Sequence, residues 1–177
     1  EADFEMLQIN DYNFILNRSK TVQALGTLSP TRNPEAIIVL RIAGYDTKYT
    51  ITLDGTEYNI VTPATGNVSI KSVIDGIASV IPSTYTKIKS SNVIYITRTD
   101  NADFSIEAKG GLNSTAVEAF KSSVRDVADL PASCIEGMVL KVQNLADLEG
   151  DDYYVKFIVS GSASKGIGVW EETIKPG

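Results

Sequence analysis

The sequence predicts an α+β fold: mostly antiparallel β-structure with one main helix packed on a sheet, a β-β-β-α-β-β-β module flanked by further β-strands. Three observations carry this prediction. Short runs of alternating apolar and polar residues recur along the chain, an Asp-Gly pair sits between two of them, and a single long stretch keeps an unbroken helical period.

In chain order, Leu7–Ile9 and Tyr12–Asn17 are apolar runs around the turn-type pair Asn10-Asp11, which predicts a β-hairpin. Ser19 to Pro34 carries Gly26, Pro30, Asn33 and Pro34 among small polar residues and reads as a linker. Ala36–Ile42 is nearly continuous in β-branched residues, as a strand buried on both faces requires. Lys48–Leu53 and Glu57–Val61 alternate with period two around Asp54-Gly55, so this region predicts three antiparallel strands.

Ile70, Val73, Ile74, Ile77 and Ile81 then form one stripe of a 3.6-residue period. Asn67 or Ser69 can cap that helix, and Pro82 cannot continue it. Gly76 within it costs about 1 kcal/mol relative to Ala, so tertiary packing must hold the helix in place. Strands resume at Tyr85–Lys89, Val93–Thr97 and Phe104–Glu107. Val117, Phe120, Val124 and Val127 fit helical spacing, yet Phe120 to Val127 fits a polar edge strand equally well. Beyond Leu130-Pro131, three further strands are predicted at Met138–Val142, Tyr153–Val159 and Ile167–Glu172. The expected organisation is an N-terminal hairpin and linker (1–34), an inserted α+β module (35–110) and a C-terminal β segment (111–177) packing with the N-terminal strands.

Composition limits the chemistry. The chain has 177 residues, 43% of them hydrophobic, enough to build a core without staples. No apolar run approaches the roughly 20 residues of a membrane-spanning helix, so no membrane insertion is expected. Sixteen Lys and Arg stand against 22 Asp and Glu, for a net charge of -6. The basic residues are scattered singly, which argues against specific nucleic-acid binding, since that rests on clustered cations neutralising phosphates. There is no His, which removes the commonest general base and a frequent zinc ligand. Glu1-Ala2-Asp3-Phe4 carries neither an initiator Met nor a signal-peptide pattern, which leads us to expect a piece excised from a longer protein.

The remaining chemical features have plain readings. Asp147, Glu149, Asp151 and Asp152 surround Gly150, but their spacing does not match a twelve-residue calcium loop, and a solvated turn is expected. Glu171 and Glu172 are neighbours on a strand and point to opposite faces, unlike a paired glycosidase acid and nucleophile. Gly161–Gly166 lacks the residue order of a phosphate-cradling loop and reads as a hairpin loop. Cys134 has no His to activate it and cannot form an internal disulfide. Trp170, Tyr153 and Tyr154 are expected in a core or subunit interface rather than as a sugar-stacking platform. No catalytic residue, cofactor or metal ligand is assigned.

Several segments occur in an order that resembles a known family: Asp11-Tyr12-Asn13-Phe14-Ile15-Leu16-Asn17-Arg18, Asp129-Leu130-Pro131, Gly137–Val142, Asp152–Phe157 and Gly168-Val169-Trp170-Glu171-Glu172. The series resembles the N-terminal third of the tail nozzle, or tail tubular protein B, family of short-tailed bacteriophages. Its order and spacing, rather than any single motif, carry the likeness. The stretch 35–109 is also similar to a β-β-α-β-β element that recurs in other phage tail proteins. The resemblance implies a non-catalytic structural virion protein, part of the tail tube or nozzle through which phage DNA is ejected. It also implies partners among other phage tail proteins, copies of the same chain in a ring, and assembly in the bacterial host cytoplasm before incorporation into the virion. An isolated fragment is expected to be a monomer. The alternative functions are a host-surface glycan-binding adhesin, which would use exposed aromatics, and a glycan hydrolase, for which only the abundance of carboxylates speaks.

Overall fold

The structure, a computed structural model, describes residues 4–9, 12–21, 31–111, 113, 115–143 and 152–176. Among the described residues strands dominate and the one α-helix packs beside two of the sheets, as the α+β prediction requires. β1 (Phe4–Ile9) and β2 (Tyr12–Asn17) form the expected hairpin, with Met6 opposite Ile15 and Leu7 opposite Phe14. These two strands pair only with each other among the described residues. The predicted linker lies partly outside the described residues, at 22–30.

β3 (Glu35–Leu40) is buried at every position, as its unbroken apolar run requires. The predicted grouping with the next two strands needs correction. β4 (Lys48–Leu53) pairs with β5 (Thr56–Val61) on one side and β8 (Ile106–Gly110) on the other, whereas β3 lies in a separate sheet ordered β6-β7-β3-β9. β6 spans Tyr85–Ser90, β7 Val93–Arg98 and β9 Val117–Phe120. The segment after Leu40 is held open by hydrogen bonds of its own. The Tyr49 hydroxyl donates to the Ile42 carbonyl at 3.0 Å and accepts from the Gly44 N–H at 2.9 Å. The Thr62 hydroxyl donates to the Gly44 carbonyl at 2.6 Å. Satisfied in this way, the buried backbone of the connection needs no strand pairing between β3 and β4.

Alternation along β3 divides its side chains between two cores. Ala36, Ile38 and Leu40 join Ile51, Leu53, Ile94, Ile96 and the helix stripe in the first. Ile37 and Val39 join Met138, Leu140, Phe157 and Cys134 in the second. The four-stranded sheet therefore has a hydrophobic core on each face.

Helix α1 (Ile70–Val80) begins at Ser69, whose hydroxyl accepts from the Ser72 N–H at 3.1 Å while the Ser72 hydroxyl accepts from the Ser69 N–H at 2.9 Å. This reciprocal cap is worth about 1 kcal/mol. Val73, Ile74, Ile77 and the C-capping Ile81 are buried, and Ile70 is half-buried at the stripe's end. Gly76 has a packing reason: a β-carbon there would stand 3.1 Å from Ile60 Cδ1.

On the exposed side of α1, Asp75 receives Lys71 at 2.6 Å and is also paired with Lys89. The hydrogen bond from Lys71, then that from Lys89, lowers its carboxyl pKa to about 2. A carboxyl depressed on folding stabilises the protein above its ordinary pKa near 4, and that contribution is lost as pH falls through about 2. The Asp75→Asn variant is therefore expected to lose less melting temperature between those two pH values than the native chain. Thermal melts at a series of acidic pH values check this.

The stretch left open between helix and strand is strand: β9 at Val117–Phe120, then the two-residue β10 (Ser123–Val124) and a 3-10 turn at Val127–Asp129. β11 (Ser133–Ile135), too short to read from the sequence, precedes β12 (Val139–Val142), β13 (Tyr153–Val159) and β14 (Lys165–Thr173). These five strands form a sheet ordered β10-β12-β13-β14-β11, antiparallel except for β10 beside β12. Among the described residues no helix is long and apolar enough to cross a membrane.

Candidate functional site: networks, a cleft and open strands

The Asp54-Gly55 turn does more than reverse the chain. Both residues have positive φ, 48° and 78°, which matches the twist of the flanking strands. This conformation aims the Asp54 carboxylate at three other elements. It accepts from the Tyr85 hydroxyl at 2.7 Å, from the Ser105 N–H at 2.8 Å and from Arg98 at 3.0 Å. The Tyr85 hydrogen bond, with those from Ser105 and Arg98, holds the Asp54 carboxyl below its usual range. Burial and the same bond push the Tyr85 hydroxyl up to about 12. Arg98 also grips Asp100, at 2.9 Å. The set ties the β4–β5 turn to β6, β7 and the start of β8, and it is a structural clasp. The sequence shows Asp54 only as a turn residue, because its partners lie 31 to 51 positions away.

A second network lies where the chain enters β3. Glu35 accepts from Arg32 at 2.7 Å and from the Tyr95 hydroxyl at 2.9 Å. Burial, followed by the charge of Glu35, raises the Tyr95 pKa. These residues line an open cleft of about 640 Å³ that also takes in Asn101, Lys156 and Thr173. No buried side-chain polar atom among the described residues lacks a hydrogen-bond partner, so nothing in the cleft wall demands a ligand.

Of the acidic cluster around Gly150, Asp147, Glu149 and Asp151 lie outside the described residues, and Asp152 pairs with Lys141 at 2.5 Å. Glu171 and Glu172 are successive exposed residues of β14. Gly161–Ser164 form the bend between β13 and β14, and Lys165 and Gly166 already belong to β14. Cys134 is fully buried on β11, and desolvation pushes its thiol up to about 12, leaving little of the nucleophilic thiolate. Trp170 packs edge-on against Phe157 at 5.1 Å, and its indole N–H donates to the Pro131 carbonyl at 2.8 Å. Its ring therefore belongs to the second core, as does the partly buried Tyr153. Tyr154 lines a smaller pocket near Lys121 and Pro176. Among the described residues these are not gathered into one site.

What remains without a partner is strand surface. Phe4, Met6, Leu7, Phe14, Ile15 and Leu16 of the hairpin are each more than half exposed, and so are Ile167 and Val169 of β14. Exposed apolar strand surface of this kind is a candidate for contacts with other proteins. The comparison with known families agrees: the family model of bacteriophage nozzle proteins matches residues 1–177, the whole chain, and the chain belongs to that family. It is a structural component of the phage tail and associates with other tail proteins. No curated protein matches it.

Proposed function

We propose that the chain forms part of the tail tube or nozzle through which phage DNA is ejected, as a non-catalytic module repeated around a ring of copies and assembled in the host cytoplasm. The charge pattern carries this reading. The net charge is -6, and most Lys and Arg side chains are already held by the protein's own carboxylates, as in Arg41–Glu118, Arg98–Asp54 and Lys121–Asp103. DNA passing a surface of this kind meets no stripe of free cations and releases few counterions to it. An acidic surface repels the duplex, so sliding is not slowed. In this reading residues 35–110 are an insertion carried by 1–34 and 111–177, with β9 strapping it to the C-terminal part through its pairing with β3.

Gold-labelled antibody raised against the 177-residue chain tests the reading on intact virions. Label at the distal end of the tail is the expected result, and label confined to the capsid or absent from the particle overturns it. Alone and at low micromolar concentration, the chain is expected to sediment as a monomer, because a single subunit contact formed without a closed ring is weak.

A further inference from the structure

The two largest unpartnered features of this chain differ in kind and complement each other. The first is the β1–β2 hairpin. A two-stranded hairpin is at best marginally stable alone in water, yet this one exposes large side chains on both faces. Phe4, Met6 and Ile15 lie on one, and Leu7, Phe14 and Leu16 on the other. Together they present on the order of 700 Å² of apolar surface, close to what one partner buries in an ordinary interface.

The second feature is an open strand edge. β11 pairs with β14 only over Lys165–Ile167, so from Gly168 to Thr173 β14 has β13 on one side and no strand on the other among the described residues. The Ser160 N–H bonds to the Ile167 carbonyl, which turns Ile167 toward β13. Alternation then turns Trp170 and Glu172 outward, their backbone N–H and C=O groups facing away from β13. The Gly168 N–H already donates to the Ala132 carbonyl at 3.2 Å, so the open edge runs over the five residues from Val169 to Thr173, one fewer than each hairpin strand. Its exposed Ile167 and Val169 give an added strand apolar neighbours on the same face.

Charge matches as well. Glu171 and Glu172 are exposed with no ion-pair partner among the described residues, and Lys20 is an exposed cation just after the hairpin, whereas Arg18 is held by Glu5 of its own hairpin at 2.7 Å. Among the described residues, nine of the thirteen large exposed apolar side chains lie on these two features or at Ile174 just after β14, so the apolar exposure is concentrated here.

We propose that the β1–β2 hairpin of one copy adds to the open edge of β14 in a second copy, a head-to-tail strand-addition contact. Two different patches meeting in this way form a heterologous interface, which propagates from copy to copy and closes into a ring when the rotation permits. The proposal rests on the ring reading above and supplies its subunit contact. One junction alone is weak, and repetition around a ring strengthens it.

The design of the contact gives a specific test by sedimentation velocity across a concentration series up to the high micromolar range. Glu172→Pro removes an outward N–H without touching the bonds to β13, a change that edge strands tolerate. Val169→Lys is a second edge variant at an exposed position. Met6→Lys with Ile15→Lys disables one hairpin face and leaves β14 intact. The native chain is expected to associate as concentration rises, and each variant alone to lose at least about tenfold in association constant. A mixture of Glu172→Pro with the Met6→Lys, Ile15→Lys chain retains one live hairpin and one live edge, so it is expected to form a dimer and stop there. Native-like association by both edge variants overturns the proposal, as does a mixture that stays monomeric. A native chain that is monomeric throughout, with its hairpin protected from proteolysis, also overturns it and shows the hairpin docked within its own chain. Dimerisation of the mixture together with unlabelled virion tails would leave the contact standing and remove the nozzle reading.

Discussion

Replacing Ile74 with Asp is expected to unfold the protein or lower its melting temperature by on the order of 10 °C or more. Ile74 is 2% exposed on the inward stripe of α1, in a core with Ile38, Ile51, Ile94 and Ile96. Removing its side chain alone costs about 2–5 kcal/mol, because the packed surroundings collapse only partly around the lost volume. The Asp adds the cost of a buried polar group with no partner, and even its protonated form must break hydrogen bonds with water. The sum approaches the whole stability of an ordinary domain, about 5–15 kcal/mol. Thermal unfolding followed by circular dichroism reads the effect. An unchanged melting temperature would show that this face of α1 is not packed as described.

Gly168→Val is the second large effect. A β-carbon at this position would sit 2.1 Å from the Ile158 carbonyl oxygen and 2.8 Å from Phe157 Cζ. The first neighbour is backbone near the turn end of the β13–β14 pair, whose last register is Val159 opposite Gly168, so no rotamer change relieves the clash. Either the two strands separate or Phe157 leaves the second core, at a cost of about 3 kcal/mol or more. The chain's one tryptophan, Trp170, packs on Phe157 and makes a local reporter. Red-shifted Trp170 emission and a lowered urea midpoint are expected, and native values of both would contradict the close approach.

Local patterns in the sequence made much of this fold legible. The unbroken run Ala36–Leu40 signals burial on both faces, and β3 indeed serves two cores. The Ile70–Ile81 stripe and the Asp54-Gly55 turn likewise mark α1 and the β4–β5 hairpin. Strand partners beyond the β1–β2 and β4–β5 hairpins were not legible. β3 directly precedes β4 in sequence but pairs with β7 and β9, because the Tyr49 and Thr62 hydroxyls hold the intervening backbone open. That choice depends on contacts rather than periodicity. The stretch from Val117 to Val127 was ambiguous for a different reason: its strands are four and two residues long, too short for a period of two to stand out from 3.6. The clasp at Asp54 was hidden by sequence distance, and the open edge of β14 by the brevity of β11, which pairs with only three of its residues.

The central claim is that this nozzle-family chain is a passive structural part past which DNA moves without sticking, and the most direct measurement is a titration with double-stranded DNA. A mobility-shift or anisotropy series at near-physiological salt should show no complex, since the carboxylates outnumber the cations and already occupy most of them. A salt-dependent complex with micromolar affinity would contradict the account, because it would require a cationic surface gripping phosphates where the structure places ion pairs.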